Sequence, residues 1–136
     1  MNNPNIIHLE GYSTGKISIQ GTITNNANYL ILEYCPKGDL FEYVQIERFT
    51  ERQAKYIFKK ILLGVQALHE SNIYHRNLKL ETVLLDQNFN PKISNFVFAI
   101  QYEKNNQTNM LNEFVGTPYY VSPNIFSNKP YDGKKS

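Results

Sequence analysis

The sequence contains no tryptophan and a single cysteine, Cys35. One thiol cannot close an internal disulfide, so packing must hold the fold, and this usage fits a reducing, intracellular and cytoplasmic setting. No stretch reaches the roughly 20 apolar residues needed to span a bilayer as a helix. The opening residues, MNNPNIIHLEGY, lack the basic flank and continuous apolar run of a secretory signal. Neither sign of charge is in excess. A net charge of +2 is too small to favour nucleic acid or an anionic membrane surface. There is no internal repeat, and no Cys or His spacing suited to a metal. Asparagine is the most frequent residue type, and the 136 residues suffice for one domain with a sizeable core.

Taken in order, residues 5–12 (NIIHLEGY) read as a strand. Residues 13–28 read as a hairpin with a wide loop, because Gly, Ser and Asn interrupt two short alternating stretches. Tyr29–Tyr34 reads as a strand stopped by Pro36 and Gly38. Asp39 is placed to cap a short helix from Leu40 to about Gln45. Thr50 and Gln53 make a capping box for a long helix ending near Glu70–Asn72. Ala54, Ile57, Phe58, Ile61, Leu62, Val65 and Leu68 form one apolar stripe along it. Residues 72–98 then give a short strand, a tight loop from His75 to Thr82, and the apolar run Val83–Leu85. A polar turn, Asp86–Pro91, leads to a second short strand, Lys92–Ser94, which delivers Asn95-Phe96-Val97. Residues 101–113 suggest a polar surface loop and residues 116–124 a compact, turn-rich stretch. The terminal SNKPYDGKKS offers no packing element.

This order places two polar clusters side by side. His75-Arg76-Asn77-Leu78, followed by Lys79 and Thr82, resembles the H-R-D-L-x-x-x-N loop of protein kinases, and Asn95-Phe96-Val97 resembles their D-F-G motif. Gly116-Thr117-Pro118-Tyr119-Tyr120 is similar to the end of that family's activation segment. The resemblance covers nearly the whole chain. It implies the α+β class and an incomplete protein-kinase-like fold. Residues 1–35 would be the end of the small β lobe and the hinge, and residues 36–136 the large-lobe portion through the activation segment. It further implies Leu32 as gatekeeper, Glu33 and Cys35 as a hinge whose backbone grips adenine, Asp39 beside the ribose and Leu84 as the pocket floor. Leu9, His75 and Phe96 would join an apolar spine, with Leu9 and Leu84 also read as plain core residues. Lys79 and Thr117 are the serine/threonine-type versions of their motifs. The glycine-rich phosphate loop, the ATP lysine and its glutamate partner would precede residue 1, and the central helix of the large lobe would follow Ser136. The isolated 136-residue chain is therefore expected to be marginal in stability or aggregation-prone.

The resemblance also places neutral groups where the family has carboxylates. Asn77 stands at the catalytic aspartate; an amide can orient a hydroxyl but cannot accept its proton at neutral pH. Asn95 and Thr82 occupy the two metal-ligand positions. Magnesium favours carboxylates, so no functional metal site is expected, and ATP binding is expected to be weak and magnesium-independent. Val97 replaces a glycine, which disfavours a positive φ there. Arg76 would order the loop. Glu113, four residues before Thr117, either pairs with Arg76 as a fixed negative charge or is an exposed loop glutamate. Three functional readings stand. The first is a catalytically inactive, pseudokinase-type module that presents its large-lobe surface to a protein partner. The second is part of an ATP-dependent serine/threonine kinase. The third is a non-functional truncated gene product, its substitutions reflecting drift in an Asn-rich composition.

Overall fold

The computed structural model describes residues 2–46, 48–102 and 110–134. Strands β1 (Leu9–Ile19) and β2 (Thr22–Leu32) form an antiparallel hairpin. Its turn is the pair Gln20-Gly21, with φ of 48° and 82°. Two positive φ values match the twist of the flanking strands in a two-residue turn. The expectation for this region is corrected in two ways. The strand expected over residues 5–12 starts at Leu9 and runs on to Ile19, and no wide loop interrupts the hairpin. The Ser, Thr and Asn residues read as loop sit in the ladder because most residues on both faces are exposed. Backbone pairing, which any side chain permits, holds the hairpin instead of an apolar face. Leu9, expected in the core, is 48% exposed for the same reason. Strand β2 stops at Leu32, so Glu33 and Tyr34 follow it as irregular chain.

Residues 5–7 join a different sheet edge. The Ile93 N–H donates to the Asn5 carbonyl and the Ile7 N–H to the Ile93 carbonyl, each at 2.9 Å. Ile6 thus lies parallel to Ile93 and is buried with it against Leu68.

Helix α1 spans Leu40–Ile46, with the Glu42 N–H donating to Asp39 Oδ1 at 3.0 Å. Helix α2 spans Glu51–Glu70 and opens on the capping box of Thr50 and Gln53. Its apolar stripe divides. Ile57, Gly64 and Leu68 are buried and Ile61 and Val65 half-buried, whereas Ala54, Phe58 and Leu62, expected on the same core face, are exposed. The stripe is wider than the layer packed on it, which consists of Ile6 and the short antiparallel strands β4 (Val83–Leu85) and β5 (Pro91–Ile93). Leu40, Ile57, Val83 and Leu85 make one buried cluster, and Ile6, Leu68 and Ile93 a second; Ile61 packs on both. Between α2 and β4 runs β3 (Ile73–Tyr74), which pairs with β6 (Ile100–Gln101).

A third cluster closes the chain. Strand β7 (Met110–Leu111) pairs with β8 (Tyr131–Asp132), and Leu111 and Tyr131 are buried with Ile125 of α3 (Pro123–Phe126). The terminal stretch, expected to offer no packing element, therefore supplies one: Tyr131 is 2% exposed. A single aromatic in a polar run has no periodicity to announce its burial. Met110–Leu111 likewise falls in the stretch expected to be a polar loop, of which residues 103–109 lie outside the described residues. No helix among the described residues is long and apolar enough to cross a membrane.

Candidate functional site

The loop that follows β3 packs onto the segment that follows β5. The His75 ring nitrogen Nε2 lies 2.7 Å from the Ser94 carbonyl, and its ring meets Phe96 edge-on with centroids 5.0 Å apart. Burial lowers the pKa of this imidazole, and the Ser94 carbonyl pulls it only partly back. His75 is thus a buried packing group. The backbone N–H and hydroxyl of Ser94 both donate to the Thr82 carbonyl, at 2.8 and 3.0 Å. His75, Thr82 and Ser94 therefore stitch the loop bearing Asn77 to the segment bearing Asn95.

Asn77 is buried, and its Oδ1 accepts a hydrogen bond from Thr117 Oγ1 at 2.9 Å. The Thr82 hydroxyl accepts from the Lys79 N–H at 3.0 Å and lies within donating distance of the Lys79 and Asn77 carbonyls, at 3.0 and 3.2 Å. It is occupied by the loop's own backbone. Asn95 is exposed and left-handed, with φ 61° and ψ 67°, a conformation asparagine tolerates. Val97 lies in a 3₁₀ turn, Phe96–Phe98, without a positive φ. The Lys79 ammonium stands 3.7 Å from Glu81 Oε1. These donors do not suit magnesium: Thr82 Oγ1 is committed to the backbone, and Asn95 offers only a neutral amide. Asn77 and Thr117 also line a cavity of about 220 Å³, walled by Val65, Leu68 and His69 of α2 and by Val121 and Ile125.

Arg76 adopts φ 63°. Its Nη1 meets Glu113 Oε2 at 2.5 Å, and its Nε donates to the Phe98 carbonyl at 2.6 Å. The Arg76 side chain is 8% exposed and that of Glu113 62%. The Glu113 carbonyl in turn accepts from the Tyr131 hydroxyl at 3.0 Å. Arg76 thereby ties β7 and β8 to the loop.

The residues around Glu33 form a second group. The Glu33 N–H donates to the His8 carbonyl at 3.0 Å, and its carboxylate accepts from the His8 N–H at 2.9 Å and from Lys92 Nζ at 2.9 Å. Burial works to raise the Glu33 pKa, but Lys92 and the His8 N–H outweigh it, and the pKa is lowered. Residues 37–39 lie along β4: the Leu85 N–H donates to the Gly38 carbonyl at 2.9 Å, and Asp39 bridges to Leu84. Leu84 is half-buried, not core, because Val83 and Leu85 take the inward positions of a period-two strand. Leu32 is exposed at the end of β2. Cys35 is half-buried, which raises the pKa of its thiol, and its carbonyl accepts from the Gly38 N–H at 3.3 Å.

Direct hydrogen bonds thus join Arg76 to Glu113, and Asn77 to Thr82 and Thr117, around one loop. Leu32, Glu33, Cys35, Asp39 and Leu84 line the chain from β2 to β4. Sequence reasoning missed Lys92, Ser94 and Tyr131. Lys92 alternates with the buried Pro91 and Ile93, which marks it as outward-facing, but its partner lies 59 residues away and leaves no local signal.

Residues 1–136 match the protein kinase domain family. The chain is 35% identical over 134 residues to NUAK family SNF1-like kinase 1 of Mus musculus, covering 98% of this chain and 18% of that protein. It is 34% identical over 133 residues to CBL-interacting protein kinase 26 of Oryza sativa subsp. japonica, covering 98% and 25%. It is also 34% identical over 132 residues to CBL-interacting serine/threonine-protein kinase 19 of Arabidopsis thaliana, covering 97% and 26%. The chain spans about a fifth to a quarter of the length of these relatives. With a family match along its whole length, the chain belongs to the protein kinase family.

Proposed function

We propose that this chain forms part of a serine/threonine kinase-like domain that does not transfer phosphate and serves as a binding or scaffold module. On this reading residues 1–35 are the end of the small lobe and the hinge, and residues 36–136 are the large-lobe portion through the activation segment. One observation carries it. The position of the proton-accepting aspartate holds Asn77, a neutral amide whose oxygen is already engaged by Thr117. Thr82 and Asn95 add no negative charge for a metal. A hinge at Glu33–Cys35 still leaves room for weak, magnesium-independent adenine binding. The second reading, an active serine/threonine kinase, is favoured by the Arg76–Glu113 pair, which orders the segment around Thr117 without a phosphate group.

Two assays on the full-length protein separate these readings. One is thermal shift with ATP, with and without magnesium. The other is transfer from radiolabelled ATP to a basic serine-containing peptide. The expected result is no magnesium-dependent shift and no transfer. A magnesium-dependent shift, with transfer abolished by Asn77→Ala, would establish the second reading instead.

A further inference from the structure

Strand β2 ends at Leu32, so residues 33–36 have no ladder to hold them. Among the described residues, the Glu33 carbonyl and the Cys35 N–H take part in no backbone hydrogen bond. An acceptor and a donor left unpaired two residues apart match the edge of an adenine ring, the ligand proposed above for this stretch.

Two anchors fix the stretch in place. At its far end, residues 37–39 lie on β4: the Lys37 N–H donates to the Leu85 carbonyl at 3.2 Å and the Leu85 N–H to the Gly38 carbonyl at 2.9 Å. At its near end the anchor is the Glu33 side chain. Its carboxylate accepts from the His8 N–H and from Lys92 Nζ, each at 2.9 Å. The His8 bond attaches Glu33 to the chain leading into β1, whereas Lys92 attaches it directly to β5. The side chains of Lys92 and Glu33 are 13% and 24% exposed, so the pair is largely withdrawn from water. In such a setting the loss of one partner is felt more than at an open surface.

The register of the β4–β5 hairpin sets Lys92 opposite Leu84. Directly opposed residues of an antiparallel pair project from the same face. Here it is the face away from the buried Val83, Leu85, Pro91 and Ile93. Leu84, expected as the pocket floor, and Lys92, which holds Glu33, therefore stand side by side on one surface.

We propose that Lys92 is a positioning residue for adenine binding: through the Glu33 carboxylate it fixes the backbone of residues 33–35 over Leu84. The inference rests on the adenine reading of this stretch and adds the residue that sets its geometry. Lys92 itself touches no ligand. Without it the carboxylate keeps only the His8 N–H and turns to water, and the stretch loses its direct hold on β5.

The test uses the full-length protein without magnesium. Adenosine and ATP are the probes, titrated by ligand-observed NMR, with amide exchange as a second readout. Lys92→Met removes the charge and keeps an apolar stem, and Lys92→Arg restores the charge. Glu33→Gln keeps an acceptor for the His8 N–H. Lys92→Met and Glu33→Gln are each expected to weaken adenosine and ATP alike by ~10-fold, with no further loss when combined, because both break one interaction. Lys92→Arg is expected to bind within ~3-fold of the unaltered protein. Exchange of the His8 and Glu33 amides is expected to speed ~10-fold in Lys92→Met, while the α2 amides stay as protected as before. Adenosine binding that Lys92→Met leaves unchanged overturns this inference alone. A loss confined to ATP overturns it by making Lys92 a phosphate contact. A loss of protection that spreads through α2 overturns it by making Lys92 a general packing residue. Failure of the unaltered protein to bind adenosine overturns the adenine reading of residues 33–35, and this inference with it.

Discussion

Arg76 and Glu113 stand 37 positions apart in the chain and are joined by an ion pair of 2.5 Å, its arginine buried and its glutamate reaching in from the surface. Exposed pairs contribute only about 0–1 kcal/mol. Here the guanidinium also donates to the Phe98 carbonyl, and the Glu113 backbone holds Tyr131, so the pair acts on the placement of one segment. Glu113→Ala is expected to speed protease cleavage and amide exchange of residues 110–117 several-fold while leaving the main melting transition nearly in place. An unchanged cleavage pattern would show that the pair orders nothing.

Thr82 is expected at a metal-ligand position of the family pattern; its hydroxyl serves the backbone of its own loop. Thr82→Val keeps the shape and strands the Lys79 N–H. The expected loss of stability is about 1–3 kcal/mol by denaturant titration, identical with and without magnesium. A loss that appears only when magnesium is present would assign the hydroxyl to a metal.

Gly64 sits inside α2, where alanine would be the better helix former by ~1 kcal/mol. A Cβ there would lie 2.8 Å from Ile93 Cδ1 and 2.9 Å from the Asn5 carbonyl oxygen. The close approach outweighs propensity, and Gly64→Ala is expected to destabilise by about 1–3 kcal/mol. Gly11→Ala meets nothing within 4 Å and is the matched comparison, expected to change stability by less than ~0.5 kcal/mol. Equal melting of the two variants would refute the packing argument.

Acid should weaken the fold in two stages. The folded His75 has a pKa below its ordinary 6.5, so the unfolded chain takes up the proton first and stability falls as pH drops below about 6.5. Glu33 and Asp86 have lowered pKa values as well. For both, burial pushes the pKa up and is outweighed, by Lys92 and the His8 N–H for Glu33 and by the Asn90 and Asn88 donors for Asp86. Their contribution is complete above the ordinary carboxylate range and is lost as pH falls through the folded values. Melting temperature against pH is expected to show both stages. Glu33→Gln should flatten the lower one. A melting temperature independent of pH from about 7 to 5 would contradict the assignment of His75.

The sequence by itself determined what depends on residues a few positions apart. The Thr50–Gln53 capping box, the Asp39 cap and the order of the loop from His75 to Thr82 before Asn95 were all legible. Each rests on a side chain meeting backbone within about one helical turn, or on motif spacing. That Asn77, Asn95 and Thr82 are neutral was equally plain, because residue identity alone decides whether a carboxylate is present. Tertiary structure alone decided which edge of the α2 stripe is covered, since Ile57 and Phe58 look alike until β4, β5 and Ile6 take one side. It decided that Tyr131 is core while Leu9 is exposed, that Lys92 belongs to Glu33, and that Thr117 reaches Asn77. Those pairings span tens of residues, so they become contacts only when the chain closes, and hydrophobic periodicity carries no record of the partner.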